Sequence, residues 1–164
     1  MKLISHRGNL SGRIPKRENH PDFIQEAIDA GFDVEIDLRM EQNRLFLGHD
    51  LPQYEVTSDW LFMRSPRLWI HAKDFESLCF LNAERLSFYN YFAHTSDPYC
   101  LVRCGRVNPP SLIWLHDLTV KAPMTQCVIP LLDLSSVNSF FCRSNAVYGI
   151  CSDYVTECKK KWAL

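Results

Sequence analysis

The sequence predicts an α/β fold built on a largely parallel sheet or barrel, and three observations predict it. Short apolar strands alternate with segments of helical periodicity, as strand–helix–strand crossovers require. Glycine and proline punctuate the joins between them. Ionisable residues gather at the last positions of the strands, the rim on which parallel α/β folds build their sites.

The elements follow in order. Leu3–His6 reads as a first strand, and residues 9–20, polar and carrying Gly12 and Pro15, read as a loop. Phe23, Ile24, Ala27 and Ile28 share one helical face, with Pro21 near the start and Gly31 past the end. "DVEIDLR" alternates strictly, Val34, Ile36 and Leu38 on one face and Glu35 and Asp37 on the other. "RLFLGHD" is a further short strand ended by Gly48, and "RLWIHAKD" sets Leu68, Ile70 and Ala72 opposite Trp69, His71 and Lys73. Phe75–Leu86 has helical spacing. "YNYFAH", "SLIWLHD", "QCVIPLLD" and "VYGICSD" complete the strands, and Val137–Phe141 belongs to a short helix. Helices are scarce between residues 87 and 134, so several crossovers there must be loops or a hairpin.

With 164 residues the chain reads as one domain, 1–164, large enough for a real core. A net charge of -1 gives no case for binding nucleic acid or anionic membranes, and Lys159–Lys161 reads as a solvated tail. The seven cysteines (Cys79, Cys100, Cys104, Cys127, Cys142, Cys151, Cys158) are odd in number and lack a CxxC pair. That fits neither a disulfide scaffold nor a structural zinc site and predicts a reducing compartment. The apolar run at the start is too short for a signal peptide, and no run reaches the ~20 apolar residues of a membrane helix. The expectation is a cytoplasmic protein.

The strand ends carry the chemistry. Glu35 and Asp37, projecting together into a barrel mouth, would repel each other and lose hydration; a divalent cation relieves both costs, and oxygen ligands suit Mg²⁺ or Ca²⁺. His6 and His49 each follow an apolar strand and suit general acid and base work. Arg7 and Lys73 add fixed positive charge, Arg7 with a fork that can grip two phosphoryl oxygens. Together these groups describe a site for a phosphodiester. His94 would share an inward face with Asn90 and Phe92 and is a candidate substrate contact. His116 and Asp117 read as a surface turn, His20 as a helix-start residue, and Asp153 as a cap on the final helix. The tryptophans read as packing, with Trp69 the candidate platform because it shares a face with His71 and Lys73.

"HRG" (6–8), "EN" (18–19), "EIDLR" (35–39) and "GHD" (48–50), in that order, resemble the N-terminal signature of the glycerophosphodiester phosphodiesterases. "WIHAKD" sits where that family has its Glu-x-Lys strand and "GICSDYV" resembles its closing strand and turn, whereas residues 87–145 match thinly. The resemblance implies a TIM (β/α) barrel, here compact and trimmed or distorted, with several short or missing helices. It implies His6 and His49 as catalytic, Arg7 and Lys73 on the phosphate, Glu35 and Asp37 on the metal, and Glu18 and Asn19 in support. His71 stands where the family has a third metal carboxylate, so it becomes the third candidate ligand. The implied activity is metal-dependent hydrolysis of a small phosphodiester through a cyclic intermediate, with no nucleic-acid partner and no membrane insertion. Two alternatives remain open from the residues: a non-catalytic barrel binding a phosphorylated ligand, and a cyclase that stops at the cyclic phosphate.

Overall fold

The structure is a computed structural model that describes residues 1–83, 88–105, 111–143 and 146–162. Among the described residues ten strands form one mixed sheet, eight of which close into a barrel. The barrel strands are β1 (Lys2–His6), β2 (Asp33–Glu41), β5 (Leu68–Ala72), β6 (Asn90–Phe92), β7 (Tyr99–Arg103), β8 (Ser111–Leu115), β9 (Cys127–Pro130) and β10 (Gly149–Ser152). Neighbours around the wall are β1, β10, β9, β8, β7, β6, β5 and β2, and the β1–β2 pairing closes the circle. All neighbours are parallel except around β7, which runs antiparallel to both β6 and β8.

Two expectations change here. "RLFLGHD" does supply a strand, β3 (Arg44–Leu47), but it returns antiparallel along the far half of β2 rather than joining the parallel wall. The reason is the turn: Gln42 and Asn43 both take positive φ, the backbone that turns a strand straight back on itself. β4 (Tyr54–Val56) then extends this flap. Second, Lys159–Lys161 is not a tail but the last turn of α5 (Val155–Trp162), where its charge complements the helix C-terminus.

Helices cover part of the wall. α1 (Pro21–Asp29) follows β1, α2 (Ser58–Arg64) precedes β5, α3 (Phe75–Ala83) follows β5, α4 (Leu134–Arg143) follows β9, and α5 follows β10. Among the described residues no helix lies between β6 and β9; a β7–β8 hairpin and a 3-10 turn at Met124–Gln126 stand there instead. The outer face of β7 is accordingly open, with Leu101 exposed. Leu86, at the expected end of the third helix, lies outside the described residues, as do Asn108, Pro109 and Pro110 in the stretch where loops or a hairpin are expected.

Alternation then sorts the side chains. Val34, Ile36, Leu38, Leu68 and Ile70 point outward into a layer shared with Ile24 and Ala27 of α1, while Ile4, Trp69, Phe92, Trp114, Val128 and Cys151 fill the interior. Burying a side chain such as Ile36 stabilises the fold by about 1.5–3 kcal/mol. Trp69 belongs to this interior: it is wholly buried and its indole N–H donates to Asp33, so it offers no platform to a ligand. Trp114 packs there as well, stacked on Phe92.

Candidate functional site

The same alternation points Glu35, Asp37, His6 and His71 inward above that apolar floor. Strand register makes them lateral neighbours: His6 pairs with Glu35 across β1–β2, and Asp37 with His71 across β2–β5. "HRG" ends its strand abruptly for a steric reason too. Arg7 takes a positive φ, and a Cβ on Gly8 would come within 2.8 Å of the Phe23 ring of α1.

The two carboxylates are buried, yet they sit in different electrostatic surroundings. Asp37 Oδ2 lies 2.8 Å from Arg7 Nε and accepts from Asn19 Nδ2 at 2.9 Å, while Asn19 Oδ1 accepts the Asp37 backbone N–H. Its other oxygen, Oδ1, makes no hydrogen bond, although His71 Nδ1 stands 3.3 Å away and Lys73 Nζ 3.9 Å away. Burial alone would raise the Asp37 pKa, but His71, Arg7 and Asn19 hold it well below the carboxylate range. Glu35 has no such support. Its Oε2 is buried without a hydrogen bond, 3.8 Å from His6 Nε2, and Oε1 lies 4.0 Å from His71 Nδ1. Burial, helped by the Asp37 charge, pushes its pKa up.

Glu35, Asp37 and His71 each offer a ligand atom, all within 4.8 Å of one another. A cation held at ~2.0–2.4 Å from its ligands needs separations of this order. The orphaned, buried oxygens of Glu35 and Asp37 give a metal something to bind that no protein group supplies. The residues therefore fit a divalent ion.

His6 is held from behind. Its Nδ1 lies 2.7 Å from Asp153 Oδ1, which also accepts from Asn9 Nδ2 at 2.8 Å, leaving Nε2 turned toward Glu35 and the cavity. Asp153 thus orients the imidazole instead of capping α5, because β10 is the lateral neighbour of β1 and brings its end beside His6. Sequence reasoning missed this role. The available signal was its place on the same rim of strand ends, and only the closure of the barrel turns that into contact. Burial pulls the His6 pKa down, but the Asp153 hydrogen bond and the Glu35 charge outweigh it, so the group sits above its ordinary 6.5. The pair stabilises the fold fully below the ordinary value, and that contribution is lost as pH rises through the raised folded-state value. Asp153→Asn, followed by denaturant unfolding in chelator, is expected to flatten the fall of stability with pH above 6.5. A slope equal to that of the parent protein would remove the pair.

The loop before α1 is ordered by Glu18, which accepts from Arg7, Arg13 and Asn9. Its pKa falls because these donors outweigh its burial. His20 caps α1, accepting the Asp22 N–H, as expected. His49 stands farther out, half-exposed, with Nδ1 2.7 Å from Asp50 Oδ1. Arg39 fixes its loop by donating to the carbonyls of Gly48 and His49. Gly48 has φ +153°, and a Cβ there would collide with the Leu51 carbonyl, so the turn that presents His49 requires glycine.

Two adjoining cavities open over this floor. One, of about 530 Å³, takes in His6, Arg7, Glu35, His49, His71 and Lys73 and continues to His94 and His116. The other, of about 690 Å³, shares His6, Arg7 and His49 and runs along the Glu18 loop. His94 does face the first cavity. Its ring stacks on His71 at 4.7 Å and meets His116 at 4.1 Å, and burial with the neighbouring His116 lowers its pKa to about 4. Asp117 lies in a surface turn as expected, but His116, though exposed, lines the cavity. Thus His6, Arg7, Glu35, Asp37, His71 and Lys73 converge, with Asn19, Glu18, His94 and Asp153 around them and His49 at the mouth.

Comparison with protein-family models, with curated proteins and with solved structures returns no match to this chain. No helix among the described residues is long and apolar enough to cross a membrane.

Proposed function

We propose that the chain is a metal-dependent phosphodiesterase acting on a small, glycerophosphodiester-like substrate, on a reduced TIM-type barrel related to the glycerophosphodiester phosphodiesterases. The observation that carries this reading is the convergence, at the ends of β1, β2 and β5, of two buried carboxylates with orphaned oxygens, two cations and a carboxylate-oriented imidazole beneath an open cavity. The order of parallel strands and crossover helices supports the barrel type, with the β7–β8 hairpin replacing helices that the full form carries. A cytoplasmic setting is supported by Cys79, Cys100, Cys104, Cys127, Cys151 and Cys158, which are free thiols.

The bound metal, held by Glu35, Asp37 and His71, would supply positive charge to a phosphoryl oxygen. Arg7 and Lys73 lie beside Asp37 and would hold the remaining phosphoryl oxygens, Arg7 through the part of its guanidinium that Asp37 and Glu18 leave. His6, oriented by Asp153, takes or gives a proton at Nε2, the nitrogen its partner leaves free. His49 reaches the same cavity from the flap side and serves as the complementary group at the leaving or attacking oxygen. Its pKa is lowered, first by burial and then by the Arg7 charge, which favours the neutral form that can accept a proton. His6, raised, holds a proton more readily and is the group with one to give. Environments that push two imidazoles in opposite directions suit opposite proton tasks.

The test is a panel of small phosphodiesters assayed with added divalent cations and with chelator. Metal-dependent release of an alcohol and a phosphomonoester is the expected result. Accumulation of a cyclic phosphate would identify a cyclase instead, and saturable binding without turnover would identify a phospho-ligand receptor.

A further inference from the structure

The donor set at the barrel mouth carries a consequence for which ion it takes. Mg²⁺ and Ca²⁺ prefer all-oxygen surroundings, whereas imidazole nitrogen suits borderline first-row transition metals. His71 is built as a ligand, not as a bystander. Its ring lies nearly parallel to Phe92, at 4.8 Å and 15°, and to His94, at 4.7 Å and 8°, so the end of β6 and the residues just after it set its orientation. Its Nε2 faces the His94 carbonyl at 3.4 Å, and a proton there leaves the Nδ1 lone pair bare. Nδ1 then points at Asp37 Oδ1 and Glu35 Oε1, 3.3 Å and 4.0 Å away. A bare nitrogen facing two carboxylates is unfavourable by itself and is relieved by a cation between them.

We infer that Glu35, Asp37 and Nδ1 of His71 form a site selective for a first-row transition-metal dication over Mg²⁺ and Ca²⁺. The inference rests on the metal-dependent reading above and adds the identity of the ion. Its backing comes from β6 and the residues just after it: the Phe92 and His94 rings stack on His71, and the His94 carbonyl faces its Nε2.

The test needs no turnover. Chelator-stripped protein is titrated by calorimetry with Mn²⁺, Mg²⁺ and Ca²⁺ in separate runs; Mn²⁺ is the probe because it competes poorly for the free thiols. Electron spin-echo spectroscopy of the Mn²⁺-loaded protein then reads ¹⁴N coupling from a directly bound imidazole. Mn²⁺ stands lowest in the first-row affinity series, so its preference is the most demanding case; the expected result is Mn²⁺ bound more tightly than Mg²⁺ and Ca²⁺, with a clear ¹⁴N signal. His71→Glu is expected to erase the signal and narrow the preference, and His71→Gln serves if that variant fails to fold. Mn²⁺ binding without ¹⁴N coupling in the unmodified protein, or Ca²⁺ bound as tightly as Mn²⁺, overturns the inference and leaves the dication reading standing. Absence of binding by all three ions overturns both.

Discussion

Glu35→Gln is expected to lower turnover on the order of 10³-fold while leaving the metal-free protein as stable as before, or about 1 kcal/mol more stable. Glu35 is buried, one of its oxygens has no hydrogen-bond partner, and burial already works against its charged form. A neutral isostere removes that cost along with the ligand. Asp37→Asn should abolish turnover equally but behave oppositely in stability, losing about 3 kcal/mol, because Arg7 loses its closest buried partner. Denaturant unfolding in chelator, run beside rate measurements, separates the two. Equal destabilisation by both variants would mean that Glu35 is a structural ion-pair member and not a group held ready for a cation.

The second large effect concerns the imidazoles. His49→Ala should reduce kcat by about 10²-fold or more with stability unchanged, since His49 is half-exposed and its carboxylate partner, Asp50, lies in water. His6→Ala should reduce kcat at least as much and also destabilise, because Asp153 is buried and loses its 2.7 Å partner. The discriminating measurement is the split between kcat and KM. A change in KM alone for either variant would make that histidine a binding group and would favour a receptor over an enzyme.

Much of the site was legible before the fold. Period-two alternation in "DVEIDLR" puts Glu35 and Asp37 on one face whatever the tertiary structure, and "RLWIHAKD" does the same for His71 and Lys73. The role of Asp153 was not legible, nor was the place of His116 in the cavity wall. Asp153 sits 147 residues from His6, and no local pattern records that β10 and β1 are neighbours. The direction of β3 was missed for a smaller reason: the Gln42–Asn43 turn is a hairpin signal only once both residues are seen at positive φ.

Local chemistry, then, was written in the chain itself: which side chains share a strand face, where strands end, and which groups can bind protons, metals or phosphate. These follow from backbone geometry that each segment adopts on its own. Which faces meet was decided only by closure of the barrel, through pairing of strands far apart in the chain. That closure removes the carboxylates from water and sets Asp153 behind His6 and His71 beside Asp37. Burial and distance are properties of the assembled wall, and they turn acidic residues into a site.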